Sequence, residues 1–263
     1  YFYPNLAAAM NAKMGGTPWK VKSKRVEDLI VGVGMFKSTP DNKKYTGMVV
    51  GMNGEGKSFQ QHAFKAQEKE FLVGAIHHYI RKLVQDTGEQ ALNSKRRLVI
   101  HVYKQLGKKD LKELFRSLHQ LNVSIPVVIC TIYASRNTDF YVNNTNRSKL
   151  DLLPKHGSIF RFSKSEFLMY VNDLKNDTDT VLRAYPKPVR VRVVSGSKDL
   201  ELTEQDLKGI MMQLVQFCLV NYRTVATQAM PATVVYPKLY AEKMANLEDK
   251  PIHPELINSL FML

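Results

Sequence analysis

The feature that most restricts the fold is the order in which short apolar segments and helical stripes follow one another. From Asp28 the chain reads Leu-Ile-Val-Gly-Val-Gly-Met-Phe, then Tyr45-Thr-Gly-Met-Val-Val-Gly-Met, then Ser58-Phe-Gln-Gln-His-Ala-Phe, with turn-rich residues between. This spacing predicts a three-strand meander. Between Glu68 and Val84 the apolar residues recur at helical spacing, through Leu72, Ile76, Tyr79 and Leu83. A strand at Arg97–Tyr103, a helix at Lys109–Leu121 and a strand at Ile125–Tyr133 then complete the order βββαβαβ. A meander followed by alternation calls for an α/β fold, a mixed sheet with helices packed on it.

Strands are expected to continue at Ser158–Phe162, Phe167–Val171 and Val189–Val194, the last alternating Val and Arg so that its arginines share an exposed face. Thr203-Glu-Gln-Asp206 is a capping box that opens a helix with the stripe Leu207, Ile210, Met211, Leu214, Val215 and Cys218. A final helix is expected from near Pro237. Long loops are expected at Ala134–Lys155 and Asn172–Leu182, with no internal repeat and no convincing domain boundary. The order βββαβαβ of the first half is the connectivity of the ribonuclease H fold.

Charge narrows the choice of partner. Lys and Arg total 38 against 24 Asp and Glu, a net charge of +14, which favours a polyanion and places nucleic acid first. Residues 1–25 carry Lys13, Lys20, Lys22, Lys24 and Arg25 without one acid, and residues 180–198 carry Arg183, Lys187, Arg190, Arg192 and Lys198 likewise. Gly15-Gly16 and Pro186-Lys-Pro188 beside them let backbone approach a phosphate. No apolar run approaches the roughly 18 residues of a membrane span. Two cysteines, Cys130 and Cys218, indicate neither a zinc site nor a disulfide framework, so a cytoplasmic setting is expected. Because the chain opens on Tyr-Phe-Tyr-Pro, it is expected to be part of a longer polypeptide.

Gly51-Met-Asn-Gly-Glu-Gly-Lys-Ser58 satisfies the phosphate-loop pattern and would make the chain a nucleotide hydrolase. That loop must hand over to a helix, whereas Phe59-Gln-Gln-His-Ala-Phe alternates like a strand and Asn53-Gly54 is a hairpin-turn pair. A hairpin is the favoured reading. His77-His78 falls on a helix, where neighbours diverge by about 100°, and reads as a surface pair.

Asn5-Leu-Ala-Ala-Ala-Met-Asn-Ala-Lys13-Met-Gly-Gly-Thr-Pro-Trp19 resembles the opening of the PIWI domain of Argonaute proteins. The similarity continues through Leu29–Phe36, Leu98–Lys104, Leu219-Val-Asn-Tyr-Arg and Ala229-Met-Pro-Ala-Thr-Val-Val-Tyr-Pro-Lys-Leu-Tyr-Ala, and so covers the whole chain. It implies a PIWI domain over residues 1–263, with a MID domain upstream of residue 1. By that resemblance Lys13, with Asn11 beside it, contacts the 5′-phosphate of a guide strand, while a second family lysine is replaced by Ala9. The apolar end Leu260-Phe-Met-Leu263 resembles tails whose terminal carboxylate holds Mg²⁺ at that phosphate; plain hydrophobic packing is the alternative. Arg183, Lys187, Arg190, Arg192 and Lys238 would track nucleic-acid backbone.

Members of the family that slice carry four acidic or imidazole ligands for two Mg²⁺ ions. The matching positions here are Gly34, Glu70, Tyr103 and Lys238, so only Glu70 keeps a carboxylate and slicing is expected to be absent. This degeneracy resembles the short prokaryotic Argonautes, which act in defence with an APAZ-containing effector of TIR or sirtuin-like, NAD-consuming type. The resemblance then implies a guide RNA, a single-stranded DNA target and catalysis only in the associated effector. The alternatives are a slicing nuclease using displaced acids such as Asp28 or Asp41, and the phosphate-loop hydrolase.

Overall fold

The computed structural model describes residues 2–24, 27–37, 44–67, 71–103, 106–135, 154, 156–171, 188–196, 202–224 and 226–246. Helix α1 (Phe2–Lys13) precedes β1 (Asp28–Lys37), β2 (Lys44–Asn53) and β3 (Ser58–Gln67). Then come α2 (Phe71–Thr87), α3 (Glu89–Asn93), β4 (Arg97–Val102), α4 (Lys108–Gln120) and β5 (Val127–Ala134). The last third contributes β6 (Ile159–Arg161), β7 (Glu166–Met169), β8 (Val189–Ser195), α5 (Glu204–Leu219) and α6 (Ala232–Asn246).

The strands form one eight-stranded sheet in the order β3-β2-β1-β4-β5-β8-β7-β6. β1, β4 and β5 are parallel, and every other pairing is antiparallel. With helices on both faces, this is the ribonuclease H-like arrangement that the element order predicts. The central strands are apolar on both sides because both sides are covered. On β1, Leu29, Val31 and Val33 pack with residues of α2 and α4, while Ile30 faces the core shared with α5 and α6.

The α6 contact is unusually close. A Cβ on Gly32 would lie 1.9 Å from the Thr233 carbonyl oxygen, and one on Gly34 would lie 2.2 Å from the Lys238 nitrogen. Helix backbone therefore rests directly on strand backbone, which only glycine permits. The helix also begins earlier than the sequence suggests. Pro237, read as an opening residue, lies inside α6, which starts at Ala232. Proline has no N–H for the carbonyl four residues before it. That carbonyl belongs to Thr233, the one pressed against Gly32.

Beside this contact, His101 is buried on β4 in register with Gly32, its Nδ1 2.7 Å from Thr233 Oγ1. Its Nε2 is also buried, with no partner among the described residues. Burial lowers its pKa from 6.5 to about 3, so the folded protein holds a neutral ring. At the start of the same strand, Arg97 reaches Asp206 at 2.8 Å and Asp28 at 3.6 Å, tying α5 to the sheet.

Two outcomes follow from this packing. Gly32→Ala should lower unfolding stability by about 3 kcal/mol, since the added methyl meets backbone that cannot turn aside; the shift in urea midpoint measures it. His101 binds a proton in the unfolded state below pH 6.5 but in the folded state only near pH 3. Stability should fall as pH drops through that window, by about 1.4 kcal/mol per pH unit from this group. Urea titrations across the window should show His101→Gln removing one proton from the slope.

Candidate nucleic-acid interface

The N-terminal helix ends in a way that fixes Asn11 and Lys13. Gly15 takes φ +86°, Gly15 N–H bonds Ala12 O at 3.1 Å and Gly16 N–H bonds Asn11 O at 2.9 Å. These are the two bonds of a Schellman cap, which needs glycine at the left-handed position. The Asn11 amide lies over the next residue, for a Cβ on Gly16 would come within 2.1 Å of Asn11 Oδ1. Both Asn11 and Lys13 are exposed. The chain then runs along α5, where the Trp19 indole N–H donates to Asn221 O at 2.8 Å and Val21 N–H donates to Glu55 O at 3.0 Å.

Trp19 thus leans on a rigid corner, Asn221-Tyr222-Arg223. Asn221 Oδ1 accepts the Arg223 N–H at 3.1 Å, while its Nδ2 donates to Thr224 Oγ1 and Ala226 O. From α6, the Tyr236 hydroxyl accepts the Tyr222 N–H at 2.5 Å and donates to Val220 O at 3.1 Å. The Tyr222 and Tyr236 rings stack, and the Tyr222 hydroxyl donates to Gly56 O at 2.7 Å. Burial raises the pKa of both phenols, so both remain neutral donors.

This framework aims Arg223 at the same region as Lys13 and Lys243. Partial burial lowers the Lys243 pKa, the neighbouring Lys13 and Arg223 lower it further, and Glu242 opposes them. Lys243, in the last turn of α6, therefore feels the charges of both Lys13 on α1 and Arg223 at the corner. Collecting like charges is unfavourable unless an anion shares the space, which makes the cluster a candidate anion site. Neither Arg223 nor Lys243 is assigned a role by the sequence reading. Arg223 stands in the stretch Leu219-Val-Asn-Tyr-Arg that carries the resemblance, whereas the signal of Lys243 was only a lysine in the last turn of α6.

Three of the four positions expected from the resemblance to be metal ligands converge. Gly34 lies toward the end of β1, Tyr103 directly follows β4, and the Lys238 backbone covers Gly34. The set contains no anionic oxygen, and Lys238 adds an exposed ammonium. A Mg²⁺ ion does not fit these three residues. Glu70 lies outside the described residues, as do Arg183, Lys187, Leu263 and Asp41. Asp28 is buried at the opposite end of β1 from Gly34, against Arg97, and cannot serve as a displaced ligand there. Among the described residues no group of three His, Cys, Asp or Glu side chains could hold a metal ion.

The phosphate-loop alternative fails on structure, because Gly51–Ser58 is the β2–β3 hairpin and runs into a strand rather than a helix. Its turn differs from the expected one: Gly56, not Gly54, takes positive φ, and Asn53 Oδ1 accepts the N–H groups of Glu55 and Lys57. The side chain of Asn53 closes the loop instead of its backbone entering a left-handed turn. His77 is engaged by Ser117 of α4, as suits a structural residue.

The arginines of β8 alternate with buried valines as expected, but they do not join the Lys13 cluster. Val189, Val191 and Val193 face the α5 and α6 core, so Arg190 and Arg192 project from the other face of the sheet. Arg190 is also committed: its Nη2 lies 2.7 Å from Glu166 Oε2 and its guanidinium sits over Phe162. The hydrogen bond to Glu166 raises its pKa. Arg192 has no such pair among the described residues.

Comparison with known proteins gives a consistent answer. The Piwi domain profile matches residues 1–248. The chain is 23% identical over 277 residues to the protein argonaute of Cereibacter sphaeroides, covering 95% of this chain and 34% of that protein. It is 25% identical over 276 residues to the Piwi protein of Archaeoglobus fulgidus, covering 99% of this chain and 63% of that one. The chain thus spans about a third to under two thirds of these relatives. Drosophila Piwi shares the fold with TM-score 0.71 at 18% identity, over 98% of this chain and 35% of that chain.

Because the Gly34 site has no room for any side chain, restoring a carboxylate there should fail. Gly34→Asp should lower the melting temperature by an amount matching about 3 kcal/mol or more. Added Mg²⁺ should not recover the loss in a thermal melt.

Proposed function

The chain belongs to the Piwi domain family, and on that premise we propose that it is a guide-binding module without slicing chemistry. It holds a guide, RNA by this reading, paired with a single-stranded DNA target. It reports the pairing to an associated effector. The observation that carries the reading is that Lys13 and Arg223 both act on Lys243, which places three cations in one region, with Lys13 standing in the matched motif. Such a cluster suits a terminal phosphate, whose two charges offset the mutual repulsion of the lysines and arginine.

The resemblance adds the MID domain as the other wall of this pocket. It also adds a Mg²⁺ ion held by the Leu263 carboxylate, which would neutralise further phosphate charge. Gly34, Tyr103 and Lys238 support the absence of cleavage, because the last puts a cation where slicing relatives need an anion. Lys238 and Arg192 are then free to meet sugar-phosphate, whereas Arg190 must first exchange Glu166. Sequence is read by base pairing, with the protein supplying backbone contacts. The degenerate set points to the short prokaryotic class and hence to an APAZ-containing effector as the partner that performs any catalysis. The family's setting in defence, within the cytoplasm, is part of the same proposal. No helix among the described residues is long and apolar enough to cross a membrane.

Guides with and without a 5′-phosphate test the pocket. Lys13→Ala and Lys243→Ala should each weaken binding of the phosphorylated guide by about 1.5–3 kcal/mol and leave the hydroxyl-ended guide nearly unchanged. Equal losses for both guides would overturn the pocket. A complementary target should survive Mg²⁺ or Mn²⁺, and cleavage that Glu70→Ala abolishes would overturn the inert reading.

A further inference from the structure

Along the outer side of α5 runs an open trough of about 1150 Å³, which shares Lys22 and Gln216 with a second depression of about 380 Å³ near Trp19 and Leu219. One wall is the extended segment from Trp19 to Lys24, fastened by the bond from Gln216 Nε2 to Lys22 O at 3.3 Å. The other wall is α5 itself. The trough lies by the starting ends of β1 and β4, for Arg96 lines it and Arg97 is bonded to its Asp206. Gly34 stands six residues along β1 from Asp28, or about 20 Å away at strand spacing.

Three features of this trough point to a ligand. Its acids are already used: Glu204 receives Arg161 at 2.5 and 2.6 Å, and Asp206 receives Arg97 at 2.8 Å. Lys22, Lys24, Arg96 and Lys208 have no ion pair among the described residues, so the trough is electropositive. Met212 adds exposed apolar surface within it, and Trp19 and Leu219 do so in the adjoining depression. Finally, Gln213 lines the trough while only 2% exposed, and neither Oε1 nor Nε2 has a hydrogen-bond partner among the described residues. A buried amide without partners is costly, and it wants a group that both donates and accepts.

We propose that this trough binds an extended acidic segment of a partner protein that carries apolar side chains among its carboxylates. A peptide group supplies the donor and acceptor that Gln213 lacks. Carboxylates meet the lysines, and apolar side chains cover Met212 and Leu219. The 16 residues of α5 span about 24 Å, which about seven extended residues would cover. Single-stranded nucleic acid fits less well, because it seeks aromatic faces for its bases. Here a methionine lines the trough and a leucine the depression beside it, where the one indole is tethered to Asn221 through its N–H. A small anion would leave most of the volume empty. The inference goes beyond the guide-binding reading and stands whether or not a guide is held.

Fluorescence anisotropy with the 263-residue chain tests it, using labelled peptides of about eight residues that alternate glutamate with leucine or glutamate with serine. The leucine peptide should bind more tightly than the serine peptide. Lys24→Glu with Lys208→Glu should weaken it about tenfold or more, whereas the charge-matched pair Lys109→Glu with Lys112→Glu on α4 should not. Gln213→Met, which keeps the volume, should also weaken binding while a thermal melt shows the fold intact or firmer. Equal loss in both charge-reversed pairs would overturn the proposal, as would equal affinity for the two peptides. So would displacement of the leucine peptide by an unphosphorylated oligothymidylate of the same length.

Discussion

Helix α6 rests on β1 without side chains between them, and much of the rest of the molecule depends on that contact. Gly32 and Gly34 set the separation of helix and strand, and Thr233 and Lys238 are the helix residues that meet them. Thr233 then reaches His101 through its hydroxyl, locking the helix to the next strand as well. Three residues further along the helix, Tyr236 holds the chain where α5 ends, through Val220 O and the Tyr222 N–H. The position of Arg223 is thus inherited from a backbone contact on β1. Lys243, in the last turn of α6, inherits its position from the same contact.

Charge distribution shows a division of labour between arginine and lysine. Arg97, Arg161 and Arg190 each take a carboxylate, Asp206, Glu204 and Glu166 respectively. A planar guanidinium suits such fixed pairing, since its several donors can serve one carboxylate and still reach backbone. Arg161 does so, with Nε on Ser163 O and Nη2 on Lys164 O. Lys22, Lys24 and Lys208 of the trough are left without an ion pair among the described residues, so their ammonium groups stay open to a partner. The burial of Asp28 beside Arg97 belongs to the structural class, and it joins the strand ends rather than serving chemistry.

The element order was legible because apolar periodicity is a local signal. The meander, the two helix-and-strand alternations and the capped α5 all stand where their patterns put them, and Thr203 Oγ1 accepts the Asp206 N–H as the capping box requires. What escaped were features set by distant parts of the chain. Pro237 reads as a helix start by propensity, yet packing against β1 carries the helix five residues further back. Asn53-Gly54 reads as a two-residue turn, yet the turn closes through the Asn53 side chain and is held at Gly56 O by Tyr222. Arg190 reads as free by its alternation, and only the pairing of β7 with β8 brings Glu166 to it. The cation cluster was partly visible: Lys13 and Arg223 lie in recognisable motifs, but nothing local says that the α5–α6 corner brings them toward Lys243.

The glycine at position 34 shows why packing and metal chemistry compete in this chain. A carboxylate there needs a Cβ, and a Cβ needs α6 to stand away from β1 by more than an ångström, because the Lys238 nitrogen and the Pro237 carbonyl carbon would lie within 2.5 Å of it. Lifting the helix would stretch the Thr233 contact to His101, leaving a buried ring with neither nitrogen bonded. It would also draw Tyr236 from Val220 and Tyr222, and with them the corner that aims Arg223. The close helix therefore favours a held arrangement of cations over an open pair of metal ligands. A single reversion at Gly34 cannot exchange one for the other, since Tyr103 and Lys238 would still supply a phenol and an ammonium where Mg²⁺ requires anionic oxygen.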